Sequence, residues 1–349
     1  MKAIFSEKNL IPCDVPVPQG YPQSQTHAGV AVHDGRVFLT ASPYPQIRHS
    51  RFVGHLRGLL YRISGGQLPK QHGDIEENPM LYWGEKGVEA PIKFTPYVGN
   101  PIVSLPPALF GYPAFNSDPD IYIENDDIYV INREYLRRIP SDAKHYVGDS
   151  RIRLDMVHFK VTEDGVEYKG ATLFKEADDN ILSPCLTKWA GKYRLIYLDT
   201  FSYLYPDTEC HLHMESADTV DGKYGERKEI KIDSEGFMPW HLSVFWYNDR
   251  MYSIVACVKK GQPKRLYQML GVFDESIETL SIYQTPLVDI PSYRGSAYVT
   301  DLGEFVLYST TDKYPLKGSR AVDGKDVVMG KMPFGQLLKQ IESCNVESV

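Results

Sequence analysis

The chain has 349 residues, of which 24% are charged and 12% aromatic, and carries a formal net charge of −7 with a sequence pI near 5.8. That acidic balance argues against nucleic acid as a main partner, and no apolar run is long enough to span a bilayer. Cys13, Cys185, Cys210, Cys257 and Cys344 are odd in number and scattered, which suits reduced thiols in a cytoplasmic protein. The opening MKAIFSEKNLIPCDV shows neither the apolar segment nor the cleavage site of a secretory signal.

In chain order, a short apolar strand at Ala3–Phe5 precedes Pro12 and Pro16, and is placed to complete the last sheet of a closed ring. His27–Ser42 reads as a hairpin turning at His33-Asp34-Gly35. Residues 43–117 contain an insertion, with Arg48, Arg51, Arg57, a Gly-Gly pair at 65–66, a strand at Met80–Trp83 and several prolines. Such an excursion builds either a binding-site wall or a packed surface loop. Asp118–Glu134 is the clearest hairpin: apolar alternation on both sides of an Asn-Asp-Asp corner. Further strands are expected at Leu154–Val161, Val166–Leu173, His211–Ser216, Lys228–Ile232, Leu266–Phe273 and Thr279–Tyr283, then at Ala321–Val322 and Val327–Met329 around Asp323-Gly324. Leu337, Leu338 and Ile341 fall at helical spacing, so residues 334–344 are expected to form a terminal helix.

The hairpin recurs. Copies begin at His27, Asp118, Ser183, His241 and Arg294, at intervals of 91, 65, 58 and 53 residues. An aromatic falls at one offset in four of them (Phe38, Tyr129, Tyr252, Phe305), and Tyr193 comes one residue early in the third. The interval matches a four-stranded blade with its loops, so the expected fold is all-β: residues 1–349 as one five-bladed propeller domain with a short C-terminal helix. In a propeller the first strand of each blade lines the channel, and leading residues from distant parts of the chain meet. The convergent set is His27, Asp118, Asp120, Ser183, Trp240, His241 and Arg294, with Ser42, Arg133, Glu134 and Asp199 at strand ends. Carboxylates, imidazoles, a guanidinium and aromatic rings around a pit suit a carbohydrate. Trp240 is either a sugar platform or blade packing, and Arg294 either meets a carboxylated sugar or pairs with an acidic neighbour. His211 and His213 alternate along a strand, but no third ligand has clear spacing, so no metal is assigned. No cofactor is expected, because no Walker, dinucleotide, Gly-x-Ser-x-Gly or paired CxxC pattern appears. A divalent ion held in the channel partly by water would leave no trace in such patterns.

The copies DPDIYIENDDIYVI and PWHLSVFWYNDRMYSIV resemble the inner-strand repeats of the five-bladed propeller glycoside hydrolases, the furanosidase-type superfamily that includes families 43 and 117. HLHMESADTVDG (His211–Gly222) is similar to an outer-strand element of the same enzymes. The resemblance implies an inverting hydrolase with an aspartate base, a pKa-tuning aspartate and a glutamate acid from different blades. Here His27 stands where the base aspartate is expected, Asp118 matches an inner-strand aspartate, and Ser183 and His241 stand where a glutamate is expected. The family 117-like branch carries a histidine in place of the acid. By that resemblance Asp118 tunes or acts as base and His241 donates the proton, its pKa raised by a neighbouring carboxylate. His27, Asp120, Arg133, Ser183, Asp199, Trp240 and Arg294 would then bind substrate. The alternative is a non-catalytic carbohydrate-binding or structural propeller of a polysaccharide-locus or phage-type protein.

Overall fold

The tight corners of the sequence become tight turns. The computed structural model describes residues 3–19, 21, 24–43, 77–103, 115–137, 150–177, 181–200, 210–260, 262–313 and 324–346. Two-residue turns close four of the five repeated hairpins. Asp34-Gly35, Ala190-Gly191 and Asn248-Asp249 have positive φ at both central residues, and the Asn125-Asp126 turn has it at Asn125. That geometry matches the twist of the strands it joins.

Each hairpin grows outward into an antiparallel meander. The first repeat holds β2 (Gln25–His33), β3 (Arg36–Pro43), β4 (Met80–Trp83) and β5 (Thr95–Pro96). The second holds β6 (Phe115–Glu124), β7 (Asp127–Arg137), β8 (Ser150–Thr162) and β9 (Gly165–Ala177). The third holds β10 (Leu182–Trp189), β11 (Lys192–Thr200), β12 (Cys210–Ala217) and β13 (Gly225–Asp233). The fourth holds β14 (Phe237–Tyr247), β15 (Arg250–Lys259), β16 (Gln262–Phe273) and β17 (Thr279–Pro286). The fifth holds β18 (Ser292–Val299), β19 (Glu304–Lys313) and β20 (Gly324–Pro333), and its fourth strand is the N-terminal β1 (Ile11–Pro12), paired through Ile11 with Met329.

Two details differ from the sequence reading. The strand that completes the last sheet is Ile11–Pro12, whereas Ile4 and Phe5 donate to the carbonyls of Pro286 and Leu287 beside β17. Counted by continuous hydrogen bonding there are four sheets, because β13 and β17 pair in parallel and fuse the third and fourth repeats into eight strands. Arg48, Arg51, Arg57, Gly65-Gly66 and Ala321–Asp323 lie outside the described residues.

The first strands form a ring: β2 lies against β6, β6 against β10, β10 against β14, β14 against β18, and β18 against β2. An apolar layer fills each gap between neighbouring repeats. Phe38, Ile121 and Phe159 lie between the first and second, Leu154, Leu186 and Tyr197 between the second and third, and Leu198, Leu242 and Phe273 between the third and fourth. Leu270, Phe305 and Leu307 fill the fourth-to-fifth gap, and Leu39, Tyr82 and Tyr308 close the ring. Each fully buried side chain of this size stabilises the fold by roughly 1.5–3 kcal/mol. The helix α1 (Phe334–Val346) buries Phe334, Leu337 and Ile341 in the fourth-to-fifth layer. No described helix is long and apolar enough to cross a membrane.

Candidate active site at the hub of the ring

Every first strand carries a bulge where it reaches the hub. The ladder slips between Thr26 and Gly29, Ser117 and Asp120, Leu182 and Cys185, Pro239 and His241, and Ser292 and Gly295. A bulge bends its strand and re-aims a side chain. In the first three repeats the bulged residue also takes left-handed backbone: His27 at φ 57°, Asp118 at 54° and Ser183 at 48°. Outside glycine such backbone costs about 1–3 kcal/mol and gathers at functional sites.

In the fifth repeat the corresponding residue is Tyr293, one position before Arg294. The sequence reading counts back from the turn, and here the turn is longer, closed by Gly303 donating to the Thr300 carbonyl. Tyr293 therefore occupies the ladder position that His27, Asp118 and Ser183 hold in their repeats.

Four of these side chains meet. Asp118, wholly buried, places Oδ1 3.0 Å from His27 Nδ1 and 3.7 Å from His241 Nδ1, while its Oδ2 lies 3.3 Å from Arg133 Nη2. The backbone N–H of Ser183 donates to Asp118 Oδ2 at 3.2 Å, and Ser183 Oγ is hydrogen-bonded to His241 Nδ1 at 2.7 Å. Arg133 also donates to Ser117 Oγ and to the Ile181 carbonyl. His27 Nε2 faces Glu77 Oε2 at 3.2 Å. The Tyr293 ring stands 5.1 Å from that of His27 and 4.6 Å from that of His241, with Trp240 5.6 Å from His241. Tyr293 and Trp240 are half-buried and share one apolar patch of Met238, Ala256, Val258 and Leu266. Both residues thus keep some exposed surface beside a buried polar cluster.

The remaining expected residues sit elsewhere. Arg294 has no exposed surface; it donates to the Pro119 carbonyl at 2.8 Å and pairs with Asp120 Oδ1 at 3.3 Å, a clamp from β18 to β6. A sugar carboxylate does not reach it. Asp199 faces Arg227 at 3.4 Å and His213 at 3.9 Å on the outer strands. His213 Nε2 lies 2.6 Å from Arg227 Nη2 and His211 pairs with Glu229, so a guanidinium already stands beside the two histidines. Glu134 lies on β7 next to Arg133, and burial together with Asp155 pushes its carboxyl up to about 7. Ser42 is buried at the end of β3. Glu77 was not singled out from the sequence, because it follows no periodic run; Tyr293 was missed for its turn length.

The electrostatics revise the roles implied by the resemblance. Burial alone would raise the Asp118 carboxyl, but Arg133, His27 and His241 outweigh it and hold the group well below the usual carboxylate range. Burial pulls the His27 imidazole down, yet Glu77 and Asp118 prevail and its pKa is raised. His241 goes the other way. Burial, aided by His27, Arg294 and Arg133, drives it well below its ordinary value despite Asp118. The expectation of a raised His241 is therefore reversed: of the two imidazoles, His27 is the one whose surroundings favour the proton and His241 the one whose surroundings disfavour it. One ring nitrogen of each histidine and one Asp118 oxygen also lie within 4.8 Å of one another, a spacing that could hold a metal ion.

No protein-family model matches the chain, and no curated protein matches it in sequence. Solved structures do match. An N-acetylgalactosamine deacetylase from F. plautii, in complex with blood group B trisaccharide, superposes with TM-score 0.62 at 15% identity over 93% of this chain and 94% of the other. A family 117 glycoside hydrolase from Zobellia galactanivorans gives 0.54 at 9% identity, covering 92% and 88%. A thermostable family-43 glycoside hydrolase gives 0.52 at 9% identity, covering 88% of each chain. The chain has the fold of the glycoside hydrolase propellers.

Proposed function

We propose that the protein is a five-bladed propeller hydrolase that cleaves a glycosidic bond in a saccharide seated at the hub. Its blade count takes the fused eight-stranded sheet as two blades, in line with the five interlayer cores. The observation that carries the reading is the meeting of His27, Asp118 and His241 beneath the Tyr293 and Trp240 rings, in a fold shared with glycosidases. The rings offer the apolar face that a sugar stacks on. Asp118, sealed and ionised, tunes the two imidazoles. His27 holds the proton that a leaving oxygen requires, and Glu77, whose side chain is 14% exposed, is the carboxylate of the cluster that reaches solvent. Entry of water on the face opposite the departing sugar would give inversion.

A specific observation favours a second reading, hydrolysis of an N-acyl group on an amino sugar. The copies expected to bring a carboxylic acid bring Ser183 and a neutral His241 instead, and the deacetylase superposes at 0.62. Cleavage of an amide needs a polarised carbonyl and an activated water rather than a stored acid.

One experiment separates the readings: aryl glycosides and N-acetylated oligosaccharides are offered to the wild type and to Asp118→Asn, scoring released aryl alcohol and acetate. Turnover is expected in the glycoside arm, with a loss of at least about 100-fold in Asp118→Asn. Acetate release alone would select the second reading. Silence in both arms, or full activity in Asp118→Asn, would contradict both.

A further inference from the structure

We propose that His27, Asp118 and His241 bind one divalent transition-metal ion, of the zinc or manganese class, at the hub of the ring. The site rests on and deepens the functional reading above: with an ion bound, His27 Nδ1 would give up its proton and a water on the ion would take over the proton's part, while the geometry of the site stands independently of any substrate.

The first observation is a pattern of unpartnered atoms. Both ring nitrogens of His27, Asp118 Oδ1 and His241 Nε2 are buried without a hydrogen-bond partner, in residues that are 0–1% exposed. A buried polar atom left so forfeits its hydration with nothing in return. His27 Nδ1 and Asp118 Oδ1 approach to 3.0 Å without the alignment of a hydrogen bond. Two ligands of one ion would stand in this way.

The second observation is what holds the other end of each side chain. Glu77 stands 3.2 Å from His27 Nε2, Ser183 Oγ bonds His241 Nδ1 at 2.7 Å, and Arg133 with the Ser183 N–H occupies Asp118 Oδ2. Metal-binding imidazoles and carboxylates are oriented by such outer partners. These partners hold the two rings and the carboxylate in place.

The donor set decides the class of ion. Two imidazoles and one carboxylate suit zinc, manganese and their neighbours, whereas calcium and magnesium take oxygen ligands. Three protein ligands leave a coordination position open. Such an ion would supply Lewis acidity, lowering the pKa of a water and polarising a substrate oxygen.

The test needs no substrate. Chelator-treated protein is titrated separately with Zn2+, Mn2+, Co2+, Ca2+ and Mg2+, following bound metal by mass spectrometry, melting temperature by calorimetry, and the visible spectrum of the Co2+ form. One transition ion per chain is expected, with a raised melting temperature and a Co2+ spectrum typical of low coordination number. His27→Ala and His241→Ala should abolish binding, and Glu77→Gln should weaken it roughly 10–100-fold. If the alanine variants fail to fold, the wild-type stoichiometry and Co2+ spectrum still decide. Uptake of no ion, uptake of Ca2+ or Mg2+ alone, or wild-type affinity in the folded alanine variants would overturn the site. An ion bound by a protein inert on every saccharide would keep the site and sink the functional reading; saccharide turnover by a protein that takes up no ion would do the reverse.

Discussion

Asp120 and Asp118 are two residues apart, buried alike, and electrostatically opposite. Asp118 has three cationic or polar partners and stays ionised, whereas burial pushes Asp120 up to about 6 in spite of Arg294 and the backbone N–H groups of Leu186 and Ile121. Its folded pKa lies above the ordinary carboxylate value, so the folded chain holds this proton more tightly than the unfolded one. The stabilisation is complete below about pH 4 and is lost as pH rises through about 6, amounting to roughly 3 kcal/mol over that window. Asp120→Asn should flatten this slope in chemical denaturation measured from pH 4 to 7. An unchanged slope in the variant would show that Arg294 keeps Asp120 ionised throughout. At this scale the sequence was legible where the pattern was strict. The Asn-Asp-Asp corner fixes the Asp118 hairpin, and Asp118 comes out at the hub. It was illegible where one extra turn residue shifts a strand, as at Tyr293, or where a side chain comes from an aperiodic segment, as at Glu77.

At the scale of the element, the bulge is what turns a repeated hairpin into a site. Beyond each bulge the first strands run so close to the hub that two of the five have glycine at the next ladder position, Gly29 and Gly295. A Cβ on Gly29 would lie 2.8 Å from Thr40 Oγ1 and 3.2 Å from the Pro119 carbonyl oxygen. The hydroxyl can rotate away; the Pro119 backbone, directly after Asp118, cannot. Gly29→Val should therefore cost about 1–3 kcal/mol and also move Asp118 away from His27. Denaturation midpoints and saccharide turnover check this together, with turnover falling even where the variant is fully folded. A variant as stable and as active as the wild type would mean that β2 and β6 can separate without disturbing the cluster. Alternation and turn residues revealed these strands in the sequence. The bulges did not show there, because an extra residue in a ladder leaves no compositional mark.

Over the whole molecule, the five copies were legible as a count of hairpins, and the ring of first strands follows from packing their apolar faces against one another. The fusion of β13 with β17 was not legible, since outer-edge pairing depends on where two distant strands come to rest. Closure by β1 was expected in kind and displaced by several residues, because Ile11 rather than Ile4 finds the free edge of β20. The ring has one functional consequence: His27, Asp118, Ser183, His241 and Tyr293, spread over 267 positions, share one hub. A crystal structure with a bound oligosaccharide tests that most directly. The sugar is expected at the hub, stacked on Tyr293 or Trp240 with its scissile bond over His27, Asp118 and His241. A sugar held on the outer strands, with the hub free of it, would contradict the account.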